Sequence, residues 1–306
     1  MKKILFILLT GAAVLSSSLK ADIDFQDVGP TDIVGVRESD ARGPFKIEFT
    51  FDAVGRGKMK DSDHRIQFAT AEIELSAVFY HDASIDEGAS IGLSYERSRI
   101  DWNRNPFYRQ KDFDVASLNV AFSSKRLCDW LWKGQLTANF DNLKHWNFNE
   151  YMNYDMLLWG RYDYRNVGIN LGVLALTGMK IDRVYPIIGV DWKYGEKWII
   201  NLVFPMNVSV VYNITQHWAA TVAARLFYER HRLAHDEVLK KGLIVYTTTG
   251  AEFGVNYTPN AKLFANLHLG YDAGGRFKRA NRHYNNKHHY KIEGAPYAGC
   301  QLDYAF

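Results

Sequence analysis

Few residues of this sequence have the types and spacing that chemistry needs. His81-Asp82 and His235-Asp236 are adjacent pairs, the raw material of an Asp–His hydrolytic site. Both are expected in turns or loops, and neighbours on an extended chain point to opposite sides, so neither is a ready dyad. A lipase-type site needs a serine activated by a histidine close by on an adjacent strand. No His-x-Ser pair occurs. His283, His288 and His289, with Arg279, Arg282 and Lys287, make the stretch 276–291 basic, and it is expected as a solvated loop. Carboxylates and cysteine are lacking beside His288-His289, so a metal is not expected there. Gly274-Gly275 marks a turn and not a phosphate-binding loop that opens a helix. The expectation is a protein that is not an enzyme, with no catalytic residue, no cofactor and no metal.

The remaining polar groups fall on a pattern of period two. In Phe45-Lys46-Ile47-Glu48-Phe49-Thr50-Phe51-Asp52 apolar and polar residues alternate. The same alternation runs through Ala71 to Ala77, Ile91 to Glu96, Leu136 to Phe140, Val167 to Val173, Ala251 to Tyr257 and Leu263 to Leu269. Such alternation makes strands with one apolar and one polar face. If the polar face lines an interior, Glu48, Glu72, Glu74, Glu96, Arg161, Asp191, Lys193, Arg225, Glu252 and His268 are expected to point inward. Both signs of charge are present. They would either set the field of a hydrated pore or pair with one another and hold the interior shut.

Three features separate a membrane barrel from a soluble sandwich, which would alternate in the same way. Many strands reach about ten residues, the length that crosses a bilayer at a tilt. Connections alternate between short ones (163–166, 195–197, 215–217, 258–260) and long polar ones (97–112, 141–151, 229–242, 272–290). Aromatic residues flank the short turns: Tyr162, Tyr164, Trp192, Tyr194, Trp198, Tyr212, Trp218 and Tyr257. Rings of that kind suit the headgroup level of a bilayer. The fold class is therefore an all-β, closed antiparallel transmembrane β-barrel over residues 44–306. It has about fourteen strands, or twelve if Phe204-Pro205-Met206 is not a turn. They centre on Phe49, Ile73, Leu93, Leu118, Leu136, Leu158, Leu171, Val190, Leu202, Val210, Val222, Phe253, Leu267 and Leu302.

The ends of the chain agree with export. Lys2 and Lys3, a short apolar stretch, and Ser16 to Ala21 have the order of a secretory signal peptide, expected to be cleaved near residue 21. Residues 22–43 would be a periplasmic lead or a small plug. Removing Lys2, Lys3 and Lys20 from 37 bases leaves 34 against 34 acids, a balance that disfavours nucleic acid as a partner. Two cysteines, Cys128 in an expected turn and Cys300 in an expected strand, are too few for a disulfide scaffold. At the other end Cys300, Leu302, Tyr304 and Phe306 alternate with Gln301, Asp303 and Ala305. This resembles the C-terminal assembly signal of bacterial outer-membrane barrels, which implies the outer membrane as location and the barrel-assembly machinery as a partner during biogenesis.

A second resemblance rests on Tyr185-Pro186-Ile187-Ile188-Gly189-Val190, Asp191 to Gly195, Trp198 to Pro205, and Val211-Tyr212 before His217-Trp218. It is similar to a family of uncharacterised bacterial outer-membrane proteins in which P-x-x-G opens a strand and F-P precedes a later one. That resemblance implies no activity. The partners expected of such a barrel are outer-membrane lipid and lipopolysaccharide, whose phosphates would suit the basic stretch 276–291. A homo-oligomer is open by analogy with porins. The function expected is a porin-like or transport-type channel for small solutes. The alternative is a closed structural or surface-interaction barrel that acts through its long loops.

Overall fold

The computed structural model describes residues 44–306 except 61, 83–86, 128, 144–147 and 206. The expected signal segment, the lead 22–43 and Cys128 lie outside the described residues. Among the described residues fourteen strands form: β1 (Phe45–Lys58), β2 (Arg65–Asp82), β3 (Glu87–Trp102), β4 (Asp112–Leu127), β5 (Trp130–Asp141), β6 (Met152–Tyr164) and β7 (Val167–Gly178). They continue as β8 (Arg183–Tyr194), β9 (Trp198–Phe204), β10 (Asn207–Asn213), β11 (Trp218–Arg232), β12 (Leu243–Asn260), β13 (Leu263–Ala280) and β14 (His288–Ala305). Each pairs antiparallel with its sequence neighbours, and β1 closes on β14 with Phe49 opposite Leu302 and Phe51 opposite Cys300. Every expected strand centre lies in its own strand, and a turn does separate β9 from β10, so the count is fourteen. The outer face is apolar and exposed, with Phe49, Ile73, Leu93, Leu118, Leu158, Leu171, Val222, Phe253 and Leu267 among its residues. The connections 163–166, 195–197, 215–217 and 258–260 and both described chain ends share one rim. There Trp192 packs on Tyr194, Trp198 on Tyr212, Trp218 on Tyr257 and Phe45 on Phe306.

The connections on the opposite rim are shorter than the sequence suggests. β3 runs on to Trp102, β11 to Arg232 and β13 to Ala280, so the stretches 97–102, 229–232 and 272–280 are strand. Likewise 288–290 opens β14 and is not loop, and His81-Asp82 ends β2 and is not in a turn. The physical reason is a reversal of amphipathicity along one strand. In β3 the outward residues Ile91, Leu93 and Tyr95 are apolar and exposed. Further along, the same parity carries Arg97, Arg99 and Asp101, joined to β4 and its preceding loop through Asp112, Asp114 and Lys111. The inward parity meanwhile changes from Glu96 and Ser98 to Ile100 and Trp102, all buried. The strand leaves the hydrocarbon at this point, and its two faces exchange solvents. Leu93, 59% exposed on the lipid face, should not tolerate charge: Leu93→Arg is expected to cost about 2–4 kcal/mol near the bilayer midplane. Arg99→Leu should change stability by less than about 0.5 kcal/mol. Guanidinium unfolding in phospholipid vesicles reads both, and equal effects would refute this placement of the bilayer.

One sector of the wall is low. β9 and β10 have seven residues each. β8 pairs with β9 only from Ile188 to Tyr194, and β10 pairs with β11 only up to Ala223. Above that level β11 has β12 alone beside it, from Ala224 to Arg232. The prolines of the sector fit this geometry. Pro186 stands where β8 has only β7 as neighbour, and Pro205 follows the last residue of β9. A residue without an N–H is tolerated at such an edge.

Candidate functional site

The interior is a lumen in two tiers. Near the short-turn rim the inward groups are polar and linked. Lys46 pairs with Glu48 at 2.6 Å and with Asp303 at 3.3 Å, and Gln301 Nε2 donates to Glu48 at 3.0 Å. Asp52, from β1, accepts from Arg225 Nη2 of β11 at 2.7 Å and stands 2.7 Å from His268 Nε2 of β13. β1 and β11 are not neighbours, so these side chains meet inside the barrel. Asn256 Nδ2 donates to Thr221 Oγ1 at 2.9 Å, and Tyr297 donates to Glu252 at 3.0 Å. On the other wall Trp159 Nε1 donates to Asn170, whose Nδ2 donates to Asp191 at 2.8 Å, with Arg161 3.5 Å from the same carboxylate.

The upper tier holds an apolar cluster. Val54, Met59, Ile66, Phe68, Ile100, Trp102, Phe113, Phe227, Ile244, Tyr246, Phe277 and Ile292 form one buried cluster inside the wall. Phe68 stacks on Tyr246 at 4.9 Å, and Trp102 meets Phe277 edge-on at 5.5 Å. These residues come from strands on several sides of the long-loop rim, where the inward parity has become apolar.

The mouth above is crossed by the end of the β11–β12 hairpin. Freed from β10, it leans inward and satisfies its open edge with side chains from the far wall. The Arg232 N–H donates to Asp141 at the end of β5, Asn142 Nδ2 donates to the Arg232 carbonyl, and the Tyr151 hydroxyl to that of Leu233. Phe113 of β4 stacks on His231 at 4.5 Å. The hairpin tip is held in turn by the β3–β4 connection. Glu237 accepts from the Arg109 and Gln110 N–H groups, both at 2.7 Å, and the Ala234 N–H donates to Gln110. Lys241 and Arg282 both pair with Glu150, in the helical turn Phe148–Tyr151. Burial pulls the Glu150 carboxyl upward, but the Lys241 hydrogen bond and the two cations more than offset this and hold it below the ordinary value. Tyr108, buried in the β3–β4 connection, has its hydroxyl pushed far above the usual range by desolvation.

Among the residues expected to face inward, Glu96, Asp191, Glu252 and His268 are buried. Glu48, Glu72, Glu74, Arg161 and Arg225 are half-buried on the same parity, and Lys193 is exposed beside the β8–β9 turn. Cys300 is a half-buried free thiol, and Leu302, Tyr304 and Phe306 are exposed on the outer face. His235-Asp236 lies at the hairpin tip, and His288 and His289 open β14, paired with Arg279 and Lys278. The reading from sequence missed Glu229 and His231, which it placed in a solvated loop. Both are buried. The available signal was Phe227-Tyr228-Glu229-Arg230-His231-Arg232 itself, an unbroken strand-like run after Val222.

Fourteen antiparallel strands closed on themselves, with an apolar outer band and polar groups within at its level, define a transmembrane β-barrel protein. The chain belongs to the family described as a domain of unknown function, DUF6268, whose model matches residues 130–305 and so includes the Tyr185–Trp218 stretch. An uncharacterized protein of Chlamydia pneumoniae is 26% identical over 191 residues, which cover 61% of this chain and 59% of that protein. The matched part therefore spans less than two thirds of that relative. An uncharacterized protein of Chlamydia trachomatis serovar D is 19% identical over 281 residues, covering 86% of this chain and 87% of the relative. Among solved structures, an outer membrane channel from Pseudomonas putida F1 aligns with a TM-score of 0.48 and 8% identity, over 86% of this chain and 96% of that one. The Pseudomonas putida toluene transporter TodX aligns with a TM-score of 0.44 and 11% identity, over 88% and 91%. At these scores and identities the likeness is one of general shape.

Proposed function

We propose that this protein is a transport-type channel of the bacterial outer membrane for small solutes, exported by a cleaved signal peptide and closed at its outer mouth by the β11–β12 hairpin. The carrying observation is the tiered lumen. A fourteen-strand wall encloses more volume than side chains usually fill, and its lower tier is lined by polar groups that can exchange protein partners for water. Glu48, Glu72, Glu74, Glu96, Arg161, Asp191, Arg225, Glu252 and His268 are proposed to line that path. Beyond the apolar packing of its base, the tip of the hairpin is attached to the β3–β4 and β5–β6 connections by a few hydrogen bonds and ion pairs, contacts that can be released one against another. A second reading, a closed barrel that acts through its outer surface, is favoured by the sealed upper tier and by the paired charge at Asp52, Arg225 and His268.

Planar-bilayer conductance separates the two. The wild-type barrel is expected to open rarely. Replacing residues 233–242 by a short Gly-Ser turn should give steady channels, because the tip no longer holds the hairpin against the β3–β4 connection. A shortened, correctly folded barrel with no conductance would sink the channel reading and leave the closed one.

A further inference from the structure

We propose that Glu96, Glu229 and His231 form a binding site for one divalent transition-metal ion of the zinc class, where the in-folded end of β11 meets β3 inside the barrel. The ligand atoms of the three residues all lie within 4.8 Å of one another. All three side chains are buried, His231 to 1% exposure. Few solvated surface clusters share that property, and two carboxylates this close in a buried setting repel unless a cation or a proton lies between them.

The histidine ring is oriented for such a role. Its Nδ1 is 2.9 Å from Asp141 Oδ1. An ionised carboxylate can only accept, so Nδ1 carries the proton. The other nitrogen, Nε2, is buried, and it presents a lone pair to an ion once its proton is displaced, as a histidine ligand must. Nε2 is aimed at the Glu229 carboxylate, 3.2 Å away. A ring whose far nitrogen is held by a carboxylate while the near one faces further carboxylates is the arrangement that orients a metal-binding imidazole. Glu96 is itself positioned, since the Ser98 and Thr70 hydroxyls both donate to its Oε1. Phe113 stacks flat on the imidazole and restricts its rotation.

One nitrogen and two carboxylate donors suit zinc, manganese or iron better than magnesium or calcium, which prefer oxygen alone. Three protein ligands leave a fourth position for water. A bound ion would tie the hairpin to β3 across the lumen. The site depends on the geometry of the three side chains and stands whether or not the barrel conducts.

Zinc alone is the probe. The full-length barrel, folded in detergent as judged by heat-modifiable migration and stripped with a chelator, is titrated with zinc chloride by calorimetry. The expected result is one zinc per chain. His231→Gln and Glu229→Gln should each weaken binding at least tenfold, and Asp141→Asn, acting through the ring, about 10–100-fold. A double variant, His288→Ala with His289→Ala, should bind as the wild type does. A folded wild type that takes up no zinc overturns the proposal and leaves His231 as a charged bridge between Asp141 and Glu229. Folded His231→Gln that binds as tightly as wild type also overturns it. Should the site variants not fold, the double variant decides: zinc retained supports the site, and zinc lost assigns the metal to the surface and overturns it.

Discussion

Changing Tyr304 and Phe306 together to Ser should lower the amount of folded, heat-modifiable barrel in the membrane fraction several-fold, whereas Gln301→Ala should leave it near wild type. The seam between β1 and β14 closes the ring, and its last residues are aromatic. Phe306 stacks on Phe45 at 5.7 Å and on Tyr304 at 6.0 Å. Phe45 and Phe306 also exchange backbone hydrogen bonds at 2.9 and 3.2 Å. A seam that opens in hydrocarbon leaves backbone groups unsatisfied at several kcal/mol each. On the proposed reading the same rings are what the assembly machinery recognises. Gln301 faces the other way and donates to Glu48 and Asp303, polar contacts that water can replace. Equal yields from both variants would refute the importance of the outer parity of this strand.

Gly189→Val should abolish the folded band. A Cβ at this position would lie 2.3 Å from both the Leu202 carbonyl oxygen and the Val203 Cα of β9. Those are backbone atoms in a hydrogen-bonded ladder, so they cannot turn aside as a flexible side chain would. The loss is expected to exceed about 3 kcal/mol, the upper end of ordinary overpacking. Gly195→Ala is the control. Gly195 has a φ of +62°, and a Cβ there would meet nothing within 4 Å, so only backbone strain of about 1–2 kcal/mol is expected. A band of wild-type intensity from Gly189→Val would show that β8 and β9 do not approach as closely as described. The contact also explains the P-x-x-G of the sequence: the proline suits the free upper edge of β8, and the glycine lets β9 come close just below it.

The parts of this fold that face lipid were legible in the sequence, because hydrocarbon outside and polar groups inside impose a strict alternation on residues such as Ile91 to Glu96. Closure of β14 on β1 follows from the same alternation at Leu302, Tyr304 and Phe306. The upper barrel was not legible. There the outside is water and the inside is apolar, so Arg97, Arg99 and Asp101 resemble a loop even though Ile100 and Trp102 point into a core. The inward lean of β11 was hidden for a different reason. Its edge is satisfied by Asp141, Asn142 and Tyr151, residues far away in sequence that no local pattern connects to Arg232. Glu229 and His231 shared that concealment.

The low sector at β9 and β10 has a consequence for the surrounding lipid. Seven residues at a rise of about 3.3 Å, tilted by about 40°, climb only about 18 Å. The apolar band of such barrels is about 25 Å tall. The neighbouring sectors, with strands of up to 18 residues, stand well above this height. A leaflet that meets a wall of uneven height must thin beside its lowest part, at a cost of fractions of a kcal/mol per Å. The leaflet on the long-loop side should therefore dip beside β9 and β10, and acyl chains shorter than the bulk average should gather on that flank.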